Sequence, residues 1–85
     1  MEVMIMQKEH TVIVYSTEWC PWCHKAKDWL KKNNVKYEER DPEKNPAYAE
    51  ELVQKSGQSG IPVIDIDGNV IVGFNEAEMK KLLGM

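Results

Sequence analysis

The hydrophobic positions of the chain change period several times, from a strand pattern to a helix pattern and back. Val12–Tyr15 is apolar on both faces, which predicts a strand buried in the middle of a sheet. The segment that begins at Pro21 has helical spacing instead, and Asn33-Asn34 ends it. Its predicted core positions are Trp22, Cys23, Ala26, Trp29 and Leu30, and its predicted water-facing positions are Lys25, Lys27, Asp28, Lys31 and Lys32. Residues 35–40 alternate between apolar and polar side chains, which predicts a second strand. Because the helix between the two strands is short, we expect a right-handed crossover that pairs them in parallel.

The second half of the chain predicts one more helix, a hairpin and a final helix. Asn45-Pro46 is a capping residue followed by a first-turn proline, and Gly57 is a natural end for the helix between them. The expected core face of that helix consists of Tyr48, Ala49, Leu52 and Val53. Residues 61–66 and 70–72 flank a turn at residues 67–69, which predicts a β-hairpin. Asn75 and Glu78 resemble a capping box for a last helix that carries Met79, Leu82 and Leu83 and ends at Gly84.

Composition and charge narrow the class of protein. Eighty-five residues predict one domain, residues 1–85, with residues 1–8 as an N-terminal extension in which a short strand and a frayed terminus are both compatible with the pattern. The net charge of −3 argues against nucleic-acid binding, and no stretch is apolar enough to span a bilayer or to serve as a signal peptide. Two cysteines are too few for a secreted disulfide scaffold, so we expect a cytoplasmic protein whose thiols react.

The two cysteines flank Pro21-Trp22 at the predicted junction between a strand and a helix. Sulfurs with this spacing can close a disulfide, and a helix start stabilises a thiolate through its free N–H groups and dipole. Cys20 is expected to lie just outside the helix, accessible to solvent, and to attack as a thiolate with a moderately lowered pKa. Cys23 is expected to lie a turn deeper and to resolve the mixed disulfide. The alternative is a pair of inert structural thiols.

The residues around the motif add charge and aromatic surface. His24, Lys25 and Lys27 favour a thiolate at Cys20, whereas Glu18 opposes it. Two tryptophans, Trp19 and Trp22, either pack at the helix start or form an exposed surface that a substrate covers, while the spacing of Trp29 predicts a core position. The proline of Ile61-Pro62 opens a strand, a place where proline is tolerated. A cis peptide at this point would explain the flexible approach of residues 56–60, although cis is the minority form of X–Pro bonds.

Metal and haem sites are the rival interpretations of the same cysteines. Residues 20–24 match the C-x-x-C-H pattern of covalent haem attachment, with Met79 or His10 as a second axial ligand, but that chemistry calls for an export signal. A zinc site would require Cys20, Cys23, His24 and the distant His10 to converge. We therefore predict no metal site and no bound cofactor.

With these motifs in order, residues 9–85 resemble a glutaredoxin of the thioredoxin-fold superfamily. The resemblance is carried by Tyr15-Ser16 before the cysteine motif, by Gly60-Ile61-Pro62 and by Gly73-Phe74. It implies an α/β fold with a four-stranded mixed sheet flanked by three helices, in the order βαβ-α-ββα. It also implies that Cys20 is the nucleophile, that Pro62 is a cis-proline beside the cysteines, and that the backbone of Ile61 pairs with substrate.

Departures from the family pattern bear on the reductant. Family members that use glutathione usually carry lysine at the position of Thr17, Thr-Val-Pro at residues 60–62, and Gly-Gly with an acidic residue at the position of Gly73-Phe74-Asn75-Glu76. The Trp-Cys, Gly-Ile-Pro and Gly-Phe of this chain look more like thioredoxin and like glutaredoxin-like electron donors that thioredoxin reductase recharges. The resemblance therefore implies a protein-disulfide reductase recharged by a reductase of the thioredoxin-reductase type, with glutathione as a further co-substrate. We expect a monomer. The substrate-binding residues implied are Thr17, Trp22, Ile61, Pro62, Gly73, Phe74 and Asn75. The alternative function is an iron–sulfur or metal carrier with Cys20 as ligand across a dimer.

Overall fold

The computed structural model describes residues 10–85, which form four strands and three helices in the predicted order. The elements are β1 (Val12–Tyr15), α1 (Pro21–Lys32), β2 (Glu38–Arg40), α2 (Pro46–Ser56), β3 (Val63–Ile66), β4 (Asn69–Val72) and α3 (Glu76–Leu83). The predicted extension at residues 1–8 lies outside the described residues.

The strands form one mixed sheet with the order β2-β1-β3-β4. β1 pairs in parallel with β2 and antiparallel with β3, and β3 pairs antiparallel with β4. β1 therefore lies inside the sheet, as its apolar faces predict, and the parallel crossover through α1 is confirmed.

Helices cover both faces of the sheet. Alternate residues of the inner strands point to opposite faces, so Val14 and Tyr15 of β1 enter different clusters. On one face, α1 and α3 pack on β1, β3 and β4 around Val12, Val14, Ala26, Leu30, Ile64, Ile66, Ile71, Met79 and Leu83. On the other face, Leu52 of α2 packs against Tyr15 and Val63. The fold is thus a four-stranded mixed sheet flanked by three helices.

The helix boundaries follow the capping residues of the sequence. The side-chain oxygen of Asn45 accepts a hydrogen bond from the N–H of Ala47 at 2.9 Å, and that of Asn75 accepts one from Glu78 at 3.1 Å. Gly57 ends α2 in the left-handed conformation with φ 75°. These interactions are local in sequence, which explains why the helix ends were predicted correctly.

Two strands are shorter than predicted. β2 begins at Glu38, because Val35 continues the end of α1 through a hydrogen bond from its N–H to the carbonyl of Leu30 at 2.9 Å. Val35 and Tyr37 are apolar because they pack on the core, not because they belong to the strand ladder. β3 begins at Val63, after the proline, where the pairing with β1 and β4 starts.

Three predicted side-chain positions are wrong. Trp22 of α1 was expected on the core face but is 56% exposed. Val53 of α2 was expected in the core but is 45% exposed. Lys27 of α1 was expected to face water, but only 12% of its side chain is accessible because it reaches across to Glu39 of β2. No helix among residues 10–85 combines the length and apolar character needed to cross a membrane.

Candidate active site

Three connections meet at one edge of the sheet. Tyr15 at the end of β1 pairs with Val63 at the start of β3, which in turn pairs with Val72 at the end of β4. The segments that follow β1, precede β3 and follow β4 therefore converge there. These segments carry the cysteine motif, the Ile61-Pro62 peptide and Gly73, and the N–H of Gly73 donates to the carbonyl of Pro62 at 2.8 Å.

Cys20 is the N-cap of α1, at the position expected from the sequence. Its backbone is extended, with φ −90° and ψ 111°, and its Sγ accepts a hydrogen bond from the N–H of Cys23 at 3.2 Å. Pro21 occupies the first helical position, where a missing N–H is not needed. Both thiols are free, so the structure represents the dithiol form. A sulfur that receives a helix-start N–H is in a position that stabilises a thiolate.

The expected solvent exposure of Cys20 is too high. Cys20 is only 5% exposed. Its N–H donates to the carbonyl of Thr17 at 3.4 Å, which closes a turn over residues 17–20. Cys23 is fully buried at 0%. The predicted difference in depth between the two sulfurs is present but small.

Cys23 is electrostatically different from an exposed cysteine. Burial, together with a hydrogen bond and a charge interaction with Cys20, raises the pKa of the Cys23 thiol to about 12. The backbone of Thr17 and the charge of Lys27 act in the opposite direction. Cys23 is therefore a protonated thiol at neutral pH, held beside a sulfur that accepts its own backbone N–H.

Lys27, one turn after Cys23 on α1, is held by an acidic residue of β2. Its Nζ donates to Oε2 of Glu39 at 2.8 Å, and the hydroxyl of Ser16 donates to the same oxygen at 2.7 Å. Burial lowers the pKa of Lys27, but the hydrogen bond and charge of Glu39 outweigh it and the net shift is upward. The charged lysine is thus fixed near the buried thiol.

The two tryptophans of the motif are exposed. Trp19 is 65% and Trp22 is 56% accessible. Of the two predicted alternatives, the tryptophans therefore form an exposed surface and do not pack at the helix start. Trp19 donates its Nε1 hydrogen to Glu43 at 3.0 Å, and the ammonium of Lys25 lies 4.7 Å from the ring centroid of Trp22. An apolar surface with charged neighbours therefore flanks Cys20 on both sides in sequence.

The peptide between Ile61 and Pro62 is cis, as predicted. Pro62 is buried and Ile61 is half-buried against the cluster of Tyr15, Leu52 and Val63. Within residues 10–85, neither the N–H nor the C=O of Ile61 makes a hydrogen bond. As far as the described residues go, Ile61 therefore offers unbonded backbone groups at the end of the sheet where the cysteine motif begins.

Comparison with known proteins assigns this arrangement to a family. The Glutaredoxin family model matches residues 12–71. The chain belongs to the glutaredoxin family. It is 49% identical over 70 residues to a glutaredoxin-like 8.6 kDa protein, uncharacterized, of the rubredoxin operon of Clostridium pasteurianum, covering 82% of this chain and 93% of that protein. It is 37% identical over 65 residues to glutaredoxin 3 of Escherichia coli strain K12, covering 76% and 78%.

A solved structure has the same fold as this chain. A mutant of a thioredoxin-like protein superposes with a TM-score of 0.82 at 36% identity, over 87% of this chain and 95% of the other. Membership of the glutaredoxin family makes the protein a thiol–disulfide oxidoreductase, with disulfide-containing substrates and a reductase that restores its dithiol.

The remaining predicted site residues of this glutaredoxin lie at the same edge but differ in exposure. Thr17 is 1% exposed, and its hydroxyl makes no hydrogen bond within residues 10–85. Gly73 has φ 89°, and Phe74 is half-buried against the main core. Asn75 is exposed and caps α3. The assignment of these residues to substrate binding stays a prediction.

The histidines of this glutaredoxin do not gather with the cysteines. Nδ1 of His10 lies 2.6 Å from Oδ2 of Asp67, at the opposite end of β1 from Cys20. Nε2 of His24 lies 2.6 Å from the carbonyl oxygen of Glu18. Across residues 10–85, no group of three His, Cys, Asp or Glu side chains is placed to hold a metal ion. An iron–sulfur carrier with Cys20 contributed by two chains stays an alternative prediction.

Sequence reasoning missed two polar side chains near the site. Glu39 holds Lys27, and Gln58 is hydrogen-bonded to the backbone just before the cis-proline. The predicted parallel pairing of β1 and β2 could have indicated that Glu39 is near the site. Glu39 pairs with Val14, close to the end of the strand that leads to the cysteines. The hydrophobic periodicity of the sequence does not point to Gln58, because its contacts are with residues two positions away in a turn.

Proposed function

We propose that this glutaredoxin reduces protein disulfides by a dithiol mechanism in which Cys20 attacks first. The Cys20 thiolate forms a bond to one substrate sulfur, and the substrate disulfide breaks with release of the other sulfur as a thiolate. The observation that carries this order is the pairing of an N-cap sulfur that accepts an N–H with a fully buried thiol whose pKa is about 12.

Cys23 completes the reaction by resolving the mixed disulfide. After loss of its proton, the Cys23 sulfur bonds to Sγ of Cys20 and displaces the second substrate sulfur as a thiolate, which takes up a proton. Two electrons have then passed from the cysteine pair to the substrate, and the protein holds a Cys20–Cys23 disulfide. The N–H contact of 3.2 Å between the two residues supports closure of this bond.

Single cysteine variants test the order of attack. Cys20→Ser should reduce the rate of insulin reduction by dithiothreitol to the uncatalysed rate, whereas Cys23→Ser should accumulate a mixed disulfide with the substrate. Trapping is visible by non-reducing electrophoresis and mass spectrometry. Retained catalysis by Cys20→Ser, or a trapped adduct on Cys23 in that variant, would reject the assigned roles.

We further propose that a reductase of the thioredoxin-reductase type recharges the protein in the cytoplasm, with glutathione as a secondary co-substrate. Thr17 supports this choice, because a buried, uncharged side chain stands where a cation would bind a glutathione carboxylate. Phe74 supports it as well, because glutathione-using family members usually carry a second glycine here, whereas Phe74 has a side chain half-buried against the main core. The test supplies the oxidised protein with either reductase system, and faster recharging by glutathione and its reductase would overturn the proposal.

A further inference from the structure

The segment between α2 and β3 contains a side chain folded back onto the backbone two residues later. The N–H of Gly60 donates to Oε1 of Gln58, and Nε2 of Gln58 donates to the carbonyl of Gly60 at 3.1 Å. One carboxamide therefore satisfies both backbone polar groups of Gly60. We call this pair of hydrogen bonds the Gln58 clamp.

The clamp is anchored to α2. Nε2 of Gln58 also lies 3.1 Å from Oγ of Ser56, the last residue of that helix. Oγ of Ser56 in turn lies 2.6 Å from the carbonyl of Leu52 and 2.9 Å from the carbonyl of Gln58. Leu52 is buried in the core beneath α2. The segment that the sequence suggested to be a flexible approach is therefore connected to the last turn of α2 by side-chain hydrogen bonds.

Gly60 is matched to the clamp by its lack of a side chain. Its φ does not lie in the left-handed region, unlike that of Gly57 and Gly73, so an alanine could adopt its backbone conformation. A Cβ at position 60 would, however, lie 2.7 Å from Oε1 of Gln58. Glycine is required here for space, and the atom that needs the space belongs to the clamp.

From this geometry we propose that Gln58 is a positioning residue for polypeptide substrates. By occupying both backbone groups of Gly60, it fixes the peptide unit next to Ile61, whose own N–H and C=O are unbonded within residues 10–85. Those groups are then presented in one orientation to the extended backbone of a disulfide-containing polypeptide. The inference rests on the proposed function, in which such a polypeptide lies against Cys20.

Two disulfide probes separate positioning from chemistry. Insulin has a backbone that can pair with Ile61, whereas hydroxyethyl disulfide has none, and dithiothreitol recharges the protein in both assays. In Gln58→Ala we expect KM for insulin to rise about five- to tenfold with kcat within about twofold, on the scale of one or two hydrogen bonds. The rate constant with hydroxyethyl disulfide should stay within about twofold. Gln54→Ala, an exposed glutamine of α2, is the matched control and should change neither value.

Substitutions at Gly60 and Gln58, alone and combined, give a second test. Gly60→Ala should raise KM for insulin as Gln58→Ala does, because the new Cβ displaces the carboxamide, and the double variant should be no worse than either single one. Gln58→Glu retains an acceptor for the Gly60 N–H and should give an intermediate KM. Additive losses, or an unchanged KM in Gln58→Ala, would overturn the positioning role.

Amide hydrogen exchange tests the clamp without catalysis. In Gln58→Ala the Gly60 amide should exchange about tenfold faster or more, while amides within β1 keep their protection. An unchanged rate at Gly60 would contradict the clamp itself. If the wild-type protein reduces neither probe, the proposed function fails; if it is active and only the variant's insulin KM is unchanged, the positioning role alone fails.

Discussion

The Nζ atom of Lys27 lies 2.8 Å from Oε2 of Glu39, so a charge pair joins α1 to β2. Lys27 follows Cys23 by one helical turn, and its positive charge lowers the pKa of that thiol against the stronger effect of burial. Glu39 holds the ammonium in place and partly neutralises it. The charge of Lys27 therefore favours loss of the proton from the buried thiol, although burial has the larger effect.

Replacing Lys27 should slow resolution and spare the first attack. In Lys27→Met the Cys23 thiolate loses a favourable charge, so the step that needs it should slow by about threefold. Ellman's reagent measures both steps, because attack by Cys20 and resolution by Cys23 each release one coloured thiolate. The second phase should slow in Lys27→Met and not in the control Lys31→Met, an exposed lysine of the same helix. Equal second phases in all three proteins would contradict the role of Lys27.

The two thiols should differ in reactivity toward an alkylating agent. With a pKa of about 12, Cys23 has a thiolate fraction of about one part in 10⁵ at pH 7, whereas Cys20 receives the N–H of Cys23. Iodoacetamide at neutral pH should therefore modify Cys20 first, by a factor of about 100 or more. Peptide mapping of the reduced protein measures the ratio, and Cys20→Ala should react far more slowly than Cys23→Ala. Preferential labelling of Cys23 would invert the proposed roles.

Glu39 should make part of the stability depend on acid pH. Hydrogen bonds from Lys27 and Ser16 lower the pKa of Glu39 below its ordinary value of 4.5, so its contribution is complete above that pH and is lost as the pH falls through the lower folded value. Because the side chain is 40% exposed, we expect only about 0.5 kcal/mol in the free energy of unfolding. Urea unfolding of wild type and Glu39→Gln should differ at pH 7 and converge at lower pH.

A matched carboxylate controls that experiment. Glu50 is exposed on α2, so Glu50→Gln should leave the difference from wild type near zero at both pH values. A stability gap for Glu39→Gln that stays constant below pH 4 would show that the lost contacts are not those of an ionised carboxylate.

The accuracy of the sequence predictions depends on how local the responsible interactions are. Asn45 and Gly57 act on their own helix ends, so the bounds of α2 could be predicted. The length of β2 could not, because Val35 is apolar for contact with the core while the ladder is set by β1. Lys27 was placed in water because lysine usually lies there, and only the tertiary fold brings it to Glu39.

The backbone conformation of Gly73, and not its surroundings, limits which residues can replace it. It has φ 89°, and a Cβ at this position would meet nothing within 4 Å. Gly73→Ala should therefore destabilise by about 1–2 kcal/mol through conformation alone, which lowers Tm by about 4–8 °C for each kcal/mol. Gly73→Asn should cost less, because asparagine tolerates the left-handed region better. Thermal unfolding followed by circular dichroism measures both, and an equal loss for alanine and asparagine would point to a steric cause instead. Insulin reduction should also fall, because the N–H of Gly73 donates to the carbonyl of Pro62 at 2.8 Å, at the end of the sheet to which the cysteine motif is attached.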